Sequence, residues 1–378
     1  MCLTAVVSVA CAYVWATSVG PLSGPRVPGV PYSLGECRPA TPGAEFGGEP
    51  LLVGADVGAS ARLADGRVVW AYGDTFRRPD GVTLTAVRNS LAIQSDDCRA
   101  VVIPAGGQEA IPNRADGVGY WPMSLAVTHE GRTSRLRVFA ERVRGSEGGF
   151  RFVNLGPAVA TFVVSGDGAP ILQSVTDLGP DDASRVNVGW GAAVADGGDG
   201  YWYVYGTANP DQPMVFGWSV RVARSTAVNL DNPSAWEYWS GGVWSRDASR
   251  ATPLIDAVGG VSQTFSVFRA GASWYAVSKR DGDLGADLAV WAASAPWGPF
   301  GHPVTVGRIP DQDEPSVLRY MPLAHPEVPS SPGTVLVSVC RNSADPELLA
   351  RSPELYRPFF VEVAIPPVPS TRVMAGPG

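Results

Sequence analysis

Lysine is almost missing from this chain of 378 residues. Lys279 is the only one, so 28 of the 29 basic residues are arginine. That bias reads first as a property of the genome and only then as function. Charge is scarce altogether, at 17% of residues, and the formal net charge is −7. With no basic run to neutralise phosphates, nucleic acid is excluded as the main partner. The three histidines, His129, His302 and His325, are far apart. Neither an HExxH nor a CxxC pattern accompanies them, so no transition-metal site and no cofactor are expected. There is no G-x-S-x-G elbow and no P-loop. The SGDG at Ser165 lacks the later Gly and Trp of a sialidase Asp box. What the chain does have is 44 Gly, 34 Pro and 12 Trp, with 45% hydrophobic residues. Gly and Pro at that density break helix interiors and argue against a long-helix architecture. The apolar and aromatic content argues against disorder.

The ends differ from the middle. Residues 1–20 carry an uncharged apolar stretch, Cys2 to Trp15, that is short for a membrane span and resembles the core of an export signal, although the basic residues expected before it are lacking. Secretion or placement in the cell envelope is the expectation. Residues 21–49 are rich in Pro and Gly, and 367–378 form a Pro-containing tail. Of the five cysteines, Cys37 and Cys98 are candidates for a disulfide, and Cys340 lies in a strand-like run where a buried free thiol is the default.

Between the ends, a pattern recurs. RVVWAYGD, RLRVFAE, YWYVYGT, SWYAVSK and TVLVSVCR place Tyr72, Phe139, Tyr205, Val277 and Val339 at equivalent positions, spaced by 67, 66, 72 and 62 residues. Each run follows a Gly-containing turn, and each turn follows another apolar strand. Every unit thus holds a hairpin with room for two further strands. Helical repeats and leucine-rich repeats are shorter. Units of this length fit four-stranded propeller blades, so residues 50–366 are expected to form one all-β domain, a five-bladed β-propeller.

In a propeller the ends of the inner strands converge on one mouth. Aligning the second strands brings Asp74, Glu141, Thr207, Lys279 and Arg341 into one ring. Aligning the first strands matches Asp56 with Asn187. Blade one alone then carries an acid at both positions, Asp56 and Asp74. Paired carboxyls of this kind suit hydrolysis of a glycosidic bond: one protonates the leaving oxygen and the other activates water or attacks the sugar. The alternative is that each caps its own turn. Arg88 and Asn89 either steady the acids, contact a sugar hydroxyl, or support the blade. Trp121 and Trp190 either stack on a sugar or pack between blades. Glu141 is a third acid or an ion-pair partner. Gln263, Lys279 and His325 complete the candidate substrate contacts, and structural roles stand beside each.

Taken in order, GADVGAS, YGDTF, RNS, NVGWG, YMPLAHPE and YRPFFVEV resemble the DUF4185 family across residues 48–366. That family is similar to five-bladed propeller glycoside hydrolases and includes actinobacterial endo-D-arabinanases. The resemblance implies an endo-acting hydrolase of D-arabinofuranosyl linkages in a cell-wall arabinan of mycobacterial type, with Asp56 and Asp74 as catalytic pair and a polysaccharide as partner. A non-catalytic carbohydrate-binding propeller, or a hydrolase of L-arabinan, xylan or fructan, remains open beside it. Oligomeric state and any cation in the channel are not legible.

Overall fold

The computed structural model describes residues 53–78, 82–94, 100–103, 107–145, 152–309, 317–343, 345–352 and 355–367. The apolar N-terminal stretch, the Pro/Gly-rich segment up to residue 49, the Cys37–Cys98 pairing and the tail from residue 368 lie outside them.

Five antiparallel sheets follow one another along the chain. Blade one holds β1 (Gly54–Arg62), β2 (Val68–Arg77), β3 (Thr85–Val87), β4 (Ser90–Gln94) and β5 (Ala100–Ile103). Blade two holds β6 (Gly119–Glu130), β7 (Thr133–Gly145), β8 (Phe152–Ser165) and β9 (Ile171–Asp177). Blade three holds β10 (Gly189–Asp196), β11 (Trp202–Ala208), β12 (Ser219–Ser225), β13 (Glu237–Trp239) and β14 (Trp244–Ser245). Blade four holds β15 (Ser266–Ala270), β16 (Ser273–Lys279), β17 (Asp287–Ala293) and β18 (Val304–Arg308). Blade five holds β19 (Val317–Ala324), β20 (Thr334–Ser343) and β21 (Phe359–Ala364). The first strands of successive blades lie side by side, and β19 returns to β1, which closes the ring. This is the five-bladed propeller that the repeat spacing predicts.

Period-2 alternation explains the stacking. Successive side chains of a strand point to opposite faces, so each blade feeds two cores. In β16, Trp274 and Ala276 enter the core shared with blade three, while Tyr275 and Val277 enter the core shared with blade five. One such core fills each of the five junctions. Phe139 is fully buried between blades two and three, and its truncation to Ala would cost about 3–5 kcal/mol. The ring seam is fastened by hydrogen bonds to backbone carbonyls: Ala55 N–H donates to the Tyr356 carbonyl at 2.6 Å, and the Arg357 side chain donates through Nε to the Val53 carbonyl at 2.8 Å.

One irregularity recurs. The inner hairpins of blades one, two, three and five each break register close to the repeat's equivalent residue: around Val57 opposite Tyr72, at Met123 beside Phe139, at Gly191 and Ala192 beside Tyr205, and at Met321 and Pro322 beside Val339. In blades two, three and five the excess residues lie on the inner strand; in blade one Asp56 alone opposes Gly73 and Asp74 of β2, and Gly58 of β1 then restores the count. Such bulges disrupt the ladder locally and re-aim the side chains there. Gly191 shows why glycine serves at one of them. Its φ is +96°, and a Cβ there would fall 2.5 Å from the Phe139 ring.

Candidate active site

Above the bulges the inner strands open into a mouth, and the acids of blade one sit there. Asp56 occupies the first bulge, between Ala55 (opposite Thr75) and Val57 (opposite Tyr72), so it faces Gly73 and Asp74 of β2. Gly73 leaves the room: a Cβ there would lie 2.3 Å from Asp56 Oδ1. Val57, next along, holds φ +63°, a strained conformation for a β-branched residue. The buried Cys340 thiol steadies it by accepting the Val57 N–H at 3.1 Å.

Both carboxyls are half-buried, and their partners differ. Asp56 Oδ2 accepts the Tyr320 hydroxyl at 2.6 Å, and Tyr356 also bonds to it. Burial, and then the charge of Asp74, push Asp56 up to about 7 against those hydrogen bonds. Asp74 Oδ1 accepts the Trp121 indole N–H at 2.8 Å. Burial raises Asp74 as well, but the Trp121 bond and the Arg88 guanidinium act to keep it ionised. Arg88 lies across Gly119, where a Cβ would meet its Cδ at 1.9 Å. The two acids interact and titrate as a pair. The asymmetry lies in the surroundings: the charge of Asp74 adds to the burial that raises Asp56, whereas Trp121 and Arg88 favour the charged form of Asp74 against its own burial.

Blade two forms one wall. Trp121 stands directly opposite Glu141 in the ladder, so their side chains share a face. Glu141 is buried, accepts the Gly156 N–H at 2.8 Å, and is raised to about 7 by that burial. The strands β7 and β8 continue past Glu141 as far as the pair Gly145–Phe152. Phe152 packs edge-on against Trp121 with centroids 4.5 Å apart, and Asn154 reaches Gln263 of blade four at 3.3 Å. Behind this wall, buried Arg142 bonds to Asp177 and Asp181.

The other residues named from sequence fall in several places. Gln263 is at the mouth, and its carbonyl accepts the Thr207 hydroxyl at 2.8 Å. Asn89 is buried and faces inward: its amide bonds the Ile111 N–H and the Ile111 and Tyr120 carbonyls, which makes it a brace between blades and not a sugar contact. Lys279 is equally buried, its ammonium on the carbonyls of Asp283 and Arg319 at 2.6 Å each. Trp190 packs on Trp236 and Tyr238 between blades two and three. Asn187 is not the counterpart of Asp56. It precedes β10, where Gly189 and Trp190 already pair with Thr207 and Gly206, and it bonds Asp182 within an exposed loop. His325 follows the far end of β19, fully buried, with Ser60 and Ser338 on its two ring nitrogens. It lines no part of the mouth, and burial lowers it to about 3. Beside it, toward the other end of the axis, a cavity of about 370 Å³ is bordered by Ser60, Arg62, Asp196, Trp202, Arg269 and Glu327.

Sequence reasoning missed Tyr320, Tyr356, Asp283 and Phe152. Asp283 is a further acid raised by burial, and its carboxylate accepts the Met321 N–H at 3.3 Å. The quoted YMPLAHPE and YRPFFVEV runs contained both tyrosines; nothing in their spacing placed them on Asp56.

A profile of a domain family of unknown function, DUF5005, matches residues 49–365. A search among curated proteins finds no match. Among solved structures, the chain is similar to a protein of Bacteroides ovatus provisionally described as a hydrolase, with 20% identity, 84% of this chain and 87% of that one covered, and a TM-score of 0.66. It is also similar to the inulosucrase of Halalkalicoccus jeotgali bound to kestose, with 18% identity, 93% and 91% covered, and a TM-score of 0.54. At these identities the likeness speaks for the fold.

Proposed function

We propose that this chain, which belongs to the DUF5005 family, is a glycoside hydrolase with Asp56 and Asp74 as its acid–base pair. The observation that carries this is the asymmetry of the pair. Asp56, raised to about 7, holds a proton it can give to a leaving oxygen. Asp74 faces Trp121 and Arg88, which favour its charged form against burial, and in that form it would activate water or attack the anomeric carbon. Trp121 and the exposed Phe152 offer ring surface beside Asp74 for a sugar.

The finer reading is endo-cleavage of D-arabinofuranosyl linkages in an envelope arabinan, by an exported enzyme. It rests on the ordered GADVGAS, YGDTF and YMPLAHPE motifs. Purified protein is incubated side by side with D-arabinan, L-arabinan, xylan and fructan, and products are separated by size. Oligosaccharides from D-arabinan alone support it. Release from fructan instead would follow the inulosucrase likeness. Folded Asp56→Asn and Asp74→Asn variants are expected to lose about 10²–10⁴-fold in rate. Near-wild-type turnover by either variant would sink the pair, and binding without any release would favour a non-catalytic propeller.

A further inference from the structure

A circuit of contacts leaves Asp74, runs round the mouth and returns to Asp56. The Trp121 indole donates to Asp74, and Glu141 stands opposite Trp121 in the ladder. Glu141 accepts the Gly156 N–H at 2.8 Å. Two residues earlier on β8, the Asn154 amide donates to Gln263 Oε1 at 3.3 Å. The Gln263 N–H donates in turn to the Asp283 carboxylate. That carboxylate accepts the Met321 N–H, and the preceding Tyr320 donates to Asp56. Blade three joins through the Thr207 hydroxyl, which donates to the Gln263 carbonyl at 2.8 Å. Asn154 and Gln263 belong to blades that are not neighbours, so the long β7–β8 hairpin reaches beyond blade three to make this link. It lies midway along the circuit, at the far side from the acid pair.

The link leaves hydrogen-bonding capacity unused. Asn154 Oδ1 is buried and accepts no hydrogen bond, although the residue as a whole is half-buried, as is Gln263. Among the described residues Gln263 Nε2 takes no acceptor either. Buried polar atoms are rarely left open, and an open one marks a place for a partner. A hydroxyl answers both groups at once: its hydrogen goes to the open oxygen, and its own oxygen takes the open N–H. Exchanging oxygen and nitrogen in both carboxamides leaves the same pairing of one open acceptor and one open donor. The charge around the link narrows the guest further. Asp56, Asp74, Glu141 and Asp283 all belong to the circuit, and this excess of acid disfavours an anionic sugar. We propose that Asn154 and Gln263 together grip one hydroxyl of a neutral sugar unit lying between them and the acid pair, and so select which sugar is accepted. A site built to bond a hydroxyl rejects the analogue that lacks it. That the guest is a sugar rests on the reading of the mouth as a glycoside hydrolase site.

Calorimetric titration of the full chain carrying Asp74→Asn tests it, with hexasaccharides of D-arabinan, xylan and inulin. The tightest binder is then compared with its monodeoxy analogues, and Asn154→Ala or Gln263→Met is added to the same protein. Each added change is expected to weaken the parent sugar about 3–10-fold. One monodeoxy analogue should bind more weakly than the parent by a similar factor before the change and lose nothing further after it, because the two alterations remove the same contact. A mere brace would weaken every member of the series alike, so an equal loss for all analogues overturns the proposal. Unchanged affinity in both variants overturns it too, as does failure of all three glycans to bind. If the selective pattern appears but the wild-type chain cleaves none of the glycans, the hydrolase reading fails and the hydroxyl site stands. Cleavage by wild type with unchanged affinity in the variants is the reverse result.

Discussion

The Tyr320 hydroxyl donates to Asp56 Oδ2 at 2.6 Å across 264 residues of sequence. Tyrosine thereby opposes the burial that raises this acid. In Tyr320→Phe the bond is lost while the ring remains. A hydrogen bond to a charged group contributes about 1.5–3 kcal/mol, so Asp56 should rise by about one unit or more. With Asp56 as the proton donor, the alkaline limb of the kcat/KM profile moves to higher pH. A profile that stays in place, or moves down, would show that Asp56 is not the titrating donor.

Asp56→Asn should stabilise the fold at alkaline pH. The folded-state value of about 7 lies above the ordinary carboxylate value. The folded chain therefore binds the extra proton between roughly pH 4 and 7. The stability linked to that proton is complete below this window and is lost as pH rises through it. The variant has no such loss. Its Tm should exceed that of wild type at pH 8 by several degrees, with the gap closing by pH 4. Scanning calorimetry at the two pH values decides it.

His325 works with the opposite sign. Burial lowers it to about 3, so the unfolded chain takes up the proton first as pH falls below about 6.5. Its contribution is whole above that value and is lost as pH falls toward 3. Urea midpoints of wild type should decline over this range with a component of about 1.4 kcal/mol per pH unit. In His325→Gln the neutral-pH midpoint is lower, and that component is missing. An unchanged acid slope would mean that the ring is charged in the fold.

Asn89→Ala separates a brace from a substrate contact. Three inward hydrogen bonds would be lost, and buried backbone groups of Ile111 and Tyr120 left open. The expected loss is about 2–4 kcal/mol, read as a lower denaturation midpoint. KM of the remaining folded protein should hold. A raised KM with unaltered stability would return Asn89 to the mouth.

The propeller was legible because its inner strands are buried on both faces and recur once per blade. Tyr72, Phe139, Tyr205, Val277 and Val339 therefore mark the repeat by spacing alone. Asp56 and Asp74 stood out because blade one alone carries an acid at both of the aligned positions. The tyrosines on Asp56 come from β19 and from the loop before β21, both in blade five, and no local pattern encodes contact across a closed ring. Asn187 was misaligned for a definite reason. The bulge of blade one sits at Asp56 to Gly58, that of blade three at Gly191 and Ala192, so an ungapped match of the two strands slips. His325 and Lys279 were polar residues in strand-end positions, and only burial distinguished bracing from binding.

The four bulged hairpins divide the inner strands of the propeller into a packing layer and a mouth layer. Below each bulge, the in–out alternation is fixed by the cores between blades. Above it, in blades two and five, the one-residue excess resets which way the next side chain points. Changing a mouth residue therefore leaves the packing layer in step, whereas deleting the extra residue Met123 would shift the mouthward part of β6 against β7 by one residue and turn its side chains to the other face. The chemistry at the mouth can diverge by substitution while the scaffold resists change in length.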